Sequence, residues 1–129
     1  MNTEEFTYVV KTEKDFDGAI VSVLKAAEQK GWALFQIYDI KERLAAKGFK
    51  QGQLKIIEIC SGKYANQFLN RNRLASLCMP CKINVWDESG TITIAGMRPT
   101  IISRFFPEID KIDAEQAEND IIAIIDNAR

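Results

Sequence analysis

Histidine is missing altogether. Its absence removes Ser-His-Asp triads, Cys-His pairs, histidine metal sites and the usual neutral-pH proton shuttle together. Cysteine is scarce: Cys60, Cys78 and Cys81 are the only three. A small, odd number does not build a disulfide scaffold, so these read as thiols of a reducing compartment, and the expected location is cytoplasmic. Long apolar runs are also missing. The longest, Ile121 to Ile125, has five residues, against the ~20 that a membrane-spanning helix needs. The opening MNTEEFTYVVK is acidic early and carries no signal-peptide core. Neither sign of charge is in excess. The 17 basic and 18 acidic residues leave a net charge of −1, which argues against a general binder of the phosphate backbone. Proline is limited to Pro80, Pro99 and Pro107, which mark boundaries in the second half rather than a linker.

What is present is ordinary globular material. The 129 residues are 47% hydrophobic and 27% charged, enough for one domain, residues 1–129, with a real core and no need of staples. Phe6 to Lys11 is β-branched and aromatic and reads as a strand. The period then changes: Phe16, Ala19, Ile20, Val23, Leu24 and Ala27 recur at helical spacing, with Asp15 as N-cap and Gly31 as stop. Trp32 to Tyr38 and Leu54 to Cys60 read as strands, separated by a short helix, Lys41 to Lys47, that Asp39 would cap. Tyr64, Ala65, Phe68 and Leu69 place another short helix over Lys63 to Asn70. Cys81 to Ala95 is a hairpin turning at Glu88-Ser89-Gly90, with Gly96 and Pro99 as its end. Ile101 to Phe106 is a short apolar piece, and a final helix capped by Asp113 would carry Ala117, Ile121, Ile124, Ile125 and Ala128 on one face.

The order is β-α-β-β-β-β-α with short helical inserts. The strands are joined by hairpin-like or short connections, so the expected class is α+β, an antiparallel sheet with helices packed on one face. Such a sheet under a long helix would leave a concave space lined by Val, Ile and Phe.

Three segments together carry a resemblance. Ile57 to Ala65 reads IEICSGKYA, Leu77 to Val85 reads LCMPCKINV, and Ala95 to Thr100 reads AGMRPT. With the Phe-containing helix ahead of them, the chain resembles the domain-of-unknown-function 302 family from about Phe6 to Phe105. The firmest points are Cys60 and the pair Pro80-Cys81. Ser61-Gly62 stands where members usually carry asparagine and proline, and Met79 where they carry leucine. The resemblance implies a curved antiparallel sheet gripping helices, similar to TATA-box-binding-protein-like folds, and a homodimer. It implies no activity.

The candidate site is Cys60, Pro80, Cys81 and Arg98. Cys60 ends a strand and Cys81 begins one, so neighbouring strands would bring both thiols to one end of the sheet. They are either a thiol site for redox sensing, sulfur transfer or a soft ligand, or small hydrophobes of the core. Cys78-Met79-Pro80-Cys81 has thioredoxin spacing but leads into a strand, where no helix dipole supports a thiolate. Arg98, after a strand end, is a candidate clamp for an anionic ligand, or a solvated loop arginine. The stretch from Lys63 to Lys82 is basic with interleaved Tyr64 and Phe68, but that spacing suits a core helix, so nucleic acid is not an expected partner. Phe105 and Phe106 offer either two core contacts or one apolar surface residue for a dimer or ligand. No metal, cofactor or membrane partner is expected. The preferred reading is a non-enzymatic domain that binds a small apolar or anionic ligand or a partner segment, because no acid, base and nucleophile come together. The alternatives are a thiol protein using Cys60 and Cys81 and, weaker, nucleic-acid binding through residues 63–82.

Overall fold

Apolar residues alternate along five segments, and each becomes a strand of one sheet. In the computed structural model, which describes residues 2–129, these are β1 (Thr7–Thr12), β2 (Ala33–Asp39), β3 (Leu54–Cys60), β4 (Cys81–Glu88) and β5 (Thr91–Met97). All neighbours pair antiparallel in the order β1-β5-β4-β3-β2, so the first strand lies beside the last. The helices are α1 (Thr3–Phe6), α2 (Phe16–Gln29), α3 (Ile40–Ala45), α4 (Gly62–Arg71), α5 (Thr100–Phe105) and α6 (Lys111–Ala128), with a 3-10 helix at Arg73–Cys78. This is the expected α+β arrangement. No described helix is long and apolar enough to cross a membrane.

Local chemistry sets most boundaries. The Asp15 carboxylate accepts from Gly18 N–H at 2.7 Å and opens α2. Asp39 does the same for α3 through Glu42 N–H at 3.0 Å. Ser89 and Gly90 both take positive φ, 54° and 90°, in the β4–β5 turn. The Asp87 carboxylate fixes that turn by accepting from Gly90 N–H at 2.7 Å. Two expected boundaries move. Asp110, not Asp113, caps α6, accepting from Ile112 N–H at 2.7 Å. Asp113 sits in the first turn instead, where its charge meets the positive helix end. Nor does β5 stop at Gly96; it runs to Met97. Gly96 is there to let α6 approach, since a Cβ at that position would lie 3.1 Å from Ile125 Cδ1 and 3.2 Å from Ile121 Cγ2.

The long helices α2 and α6 pack against each other and against one face of the sheet. Between them Ile57, Ile59, Ile83, Val85 and Ile94 meet Val23, Ile121, Ile124 and Ile125, all fully buried. Each such side chain contributes roughly 1.5–3 kcal/mol on burial. The concave space expected between helix and sheet is therefore solid core. Phe106 packs against this core while Phe105 stays 66% exposed.

The period of two puts the other half of each strand on the opposite face. Cross-strand pairing lines up Val9, Ala95, Asn84, Ile56 and Tyr38 as its middle row. Lys11, Thr93, Trp86 and Leu54 form the row on one side, and Lys82 and Glu58 lie on the other. The long helices do not cover this face, and Val9 is half exposed.

A candidate functional site at the ends of strands three and four

Cys60 is the last residue of β3 and Cys81 the first of β4, and these strands are neighbours, with Ile59 opposite Cys81. The two cysteines and Pro80 line one niche at this end of the sheet. A cis peptide bond joins Met79 to Pro80. Around the thiols stand Trp32, Tyr64, Phe68 and Met79, with Ile102 and Ala117 at the back. The helical spacing of Tyr64 and Phe68 makes them the buried face of α4, so they close the niche rather than face solvent. The free space inside is about 20 Å³, room for roughly one water molecule.

The aromatic wall is pinned. Trp32 donates its indole N–H to Asp120 on α6 at 2.9 Å, and its ring centroid lies 6.2 Å from that of Tyr64. Lys63 Nζ lies 5.3 Å from the centre of the Tyr64 ring. Burial raises the Tyr64 hydroxyl above its ordinary pKa, and the charges of Asp120 and Asp113 add to this. At the mouth, α4 begins without a side-chain cap: Ser61 occupies the cap position but makes no such hydrogen bond, and no acid lies in the first turn. That end of α4 is therefore a partly positive rim over an apolar pit.

Both thiols that line the niche stay neutral. Burial pushes the Cys60 thiol up. Cys81 is pushed up to about 12, first by burial and then by neighbouring Cys60, with Lys82 opposing and Cys78 adding a little. The Lys82 side chain, on the other face, pairs with Glu58 at 3.9 Å. A nucleophilic or redox cysteine needs the thiolate, and this surrounding disfavours it. Among the described residues no group of three or more cysteine or acidic side chains is placed to hold a metal ion.

Arg98 stands apart from the niche. Its Nε–H donates to the carbonyls of Glu4 and Thr7 at 2.9 and 3.0 Å, and its Nη1 meets Glu118 Oε2 at 3.4 Å. The guanidinium also lies 5.3 Å from the centre of the Tyr8 ring. It is neither a solvated loop residue nor a free anion clamp; it ties the N-terminal segment to α6. Glu118 completes this tie by accepting from Thr100 N–H at 3.1 Å and Thr100 Oγ1–H at 2.6 Å at the start of α5. Of the four candidates, three meet and one does not. Trp32, Tyr64 and Phe68 were legible only as core residues. The signal that Trp32 belongs here is positional: it precedes Ala33, which pairs with Cys60.

A search among curated proteins finds no match. Among solved structures, the crystal structure of an uncharacterized conserved protein DUF302 from Bacillus stearothermophilus is similar, with a TM-score of 0.89 and 28% sequence identity, covering 96% of this chain and 98% of that one. The family model "Domain of unknown function DUF302" matches residues 8–128, a span that takes in all five strands but the first residue of β1, the niche and both long helices. The chain belongs to the DUF302 family.

Proposed function

We propose that the chain is a non-enzymatic binding domain, and that the niche at the ends of β3 and β4 seats the apolar end of a small ligand. The observation that carries this reading is the combination of an apolar pit with an uncapped helix start at its mouth. An apolar group would replace the side-chain contact of Met79, whose flexible thioether readily repacks. A carboxylate or other anion on the same ligand would meet the first N–H groups of α4. The pit is too small to take more than a one- or two-carbon group without that movement, so binding should widen it. Thiol chemistry at Cys60 and Cys81 has shared position in its favour and the raised thiol pKa against it. Nucleic-acid binding loses its aromatic contacts, because Tyr64 and Phe68 are buried.

The test uses Trp32 as reporter in a Trp86→Phe background. A series of straight-chain alcohols and the matching carboxylates is titrated in. The expected result is a saturable change in Trp32 emission, tighter for the carboxylates, and abolished by Ala65→Phe, which fills the niche from its rim. A native mass spectrum of freshly purified protein should also show bound small molecules. Emission that never saturates, or saturates equally in Ala65→Phe, would remove the niche as a binding site.

A further inference from the structure

Sulfur is scarce in this chain, with three cysteines and three methionines, yet half of it lines one niche. Cys60, Met79 and Cys81 all border the space at the ends of β3 and β4. Cys60 and Cys81 stand on neighbouring strands one residue out of register, since Ile59 is opposite Cys81. That offset sets their Cα atoms roughly 6 Å apart. Cys60 acts on the Cys81 thiol more strongly than any other charge does, as two nearby sulfurs would. Met79 comes from the segment that leads into β4. The hydroxyls of Ser61 and Tyr64 are the only side-chain oxygens in the lining, and no carboxylate belongs to it. The free space of about 20 Å³ suits a single ion without any movement of the walls. Cys78, despite its Cys-x-x-Cys spacing to Cys81, does not border it.

We propose that the sulfurs of Cys60, Met79 and Cys81 bind one soft monovalent cation of the Cu(I) class. Thiolate and thioether donors select such an ion, whereas carboxylate and carbonyl oxygens suit magnesium and calcium. A structural zinc takes four nitrogen or sulfur ligands, often thiolates, and this niche has two thiols. The lack of any group of three or more cysteine or acidic side chains therefore excludes the harder metals and leaves a two- or three-coordinate soft ion. On binding, each thiol gives its proton to water and forms a sulfur–metal bond. The metal keeps its oxidation state, so no electron moves. A coordinating thiol is deprotonated outright, so thiols that are neutral in the free chain still serve as ligands. Two thiolates and one monovalent cation carry a net charge of −1. The uncapped start of α4, next to Cys60, answers it, as does the Lys63 ammonium beside the Tyr64 ring. Buried Trp32, Tyr64 and Phe68 shield the ion from water. This inference stands apart from the organic-ligand reading, because it needs the three sulfurs and that reading does not.

The test titrates the reduced chain anaerobically with Cu(I), and in parallel with Ag(I), against excess glutathione. Glutathione strips an ion held by one thiol alone. Native mass spectrometry counts bound ions, and ultraviolet thiolate-to-copper absorption reports the bond. The expected result is one ion per chain, retained against glutathione and not displaced by zinc. Trp32 emission should fall as the ion enters, read in the Trp86→Phe background. Losing an outer-shell partner costs about 10–100-fold in metal affinity, so Cys60→Ser and Cys81→Ser should each cost at least ~100-fold. Met79→Leu keeps the bulk and removes the thioether, and should cost about 10-fold. Cys78→Ser should leave the affinity unchanged. Circular dichroism identifies any variant that fails to fold; if Cys81→Ser does, Cys60→Ser and Met79→Leu decide. A chain that yields every ion to glutathione overturns the inference. So does an affinity that Cys60→Ser or Met79→Leu does not move. An ion lost in Cys78→Ser overturns it equally, by assigning the site to the Cys78–Cys81 spacing.

Discussion

Replacing Gly96 by alanine tests how closely α6 is set onto the sheet. The new Cβ would lie 3.1 Å from Ile125 Cδ1, 3.2 Å from Ile121 Cγ2 and 3.4 Å from the Lys82 carbonyl oxygen. Two effects oppose each other. Alanine restricts the unfolded chain and favours the strand, worth about 0.5–1 kcal/mol. Overpacking a filled core costs about 1–3 kcal/mol. Both isoleucines are fully buried, and the carbonyl belongs to a paired strand, so little can yield. The expected net loss is about 1 kcal/mol for Gly96→Ala and about 3 kcal/mol or more for Gly96→Val. The assay is urea unfolding followed by far-UV circular dichroism. A second substitution identifies the cause. Ile125→Val deletes the nearest atom and alone costs about 1 kcal/mol. In combination with Gly96→Ala it should cost little more than either single change, a coupling of about 1 kcal/mol. Gly96→Ala at or above wild-type stability, or a cycle that adds within about 0.5 kcal/mol, would show that α6 does not rest on this backbone.

Alkaline pH should weaken the fold through Cys81. Burial pushes its thiol up from the ordinary cysteine range to about 12, so the unfolded state releases the proton first and stability falls as pH rises above about 9. The slope is about 1.4 kcal/mol per unit from this group; urea midpoints at pH 8, 9, 10 and 11 should therefore diverge between wild type and Cys81→Ala, and parallel curves would mean the thiol is not sealed. The raised pKa of both thiols predicts that alkylation of Cys60 and Cys81 at neutral pH is slower in the folded than in the unfolded protein, most of all at Cys81, read by peptide mass. Glu118→Ala leaves Thr100 and Arg98 without their shared acceptor and should cost about 2 kcal/mol, with Glu118→Gln recovering part of it; equal losses in thermal unfolding would discount the charge.

The strands and long helices were readable because each has a clean period and a chemical stop, such as Asp15 and Gly31 for α2 or Ser89-Gly90 for the hairpin. Asp110 and Asp113 shared a cap signature that only geometry separates, since either aspartate precedes apolar helical spacing. The 3-10 helix at Arg73–Cys78 is only six residues long, too short for its apolar residues to show a period, and Leu74 and Leu77 stay largely exposed; Asn72, accepting from Leu74 N–H, starts it. At the site, strand ends foretold the meeting of Cys60 with Cys81. The aromatic wall was hidden because Trp32, Tyr64 and Phe68 look alike as core or as lining until three dimensions assign them. Arg98 misled for the opposite reason: an arginine after a strand looks free, and its partners, the Glu4 and Thr7 carbonyls and Glu118, are remote in sequence.

The pairing of β1 with β5 also orders events during synthesis. Thr7 lies opposite Met97 and Thr12 opposite Ile92, so the first strand to leave the ribosome has no ladder partner until most of the chain has followed. The β4–β5 hairpin closes locally and β2–β3 after a short excursion, whereas β1 must wait and then enter along the open edge of β5. Contacts so distant in sequence slow folding, and an unpaired strand with exposed amides invites the wrong neighbour meanwhile. In β1 the exposed Lys11 supplies a charge of the kind that discourages such pairing while the edge is open.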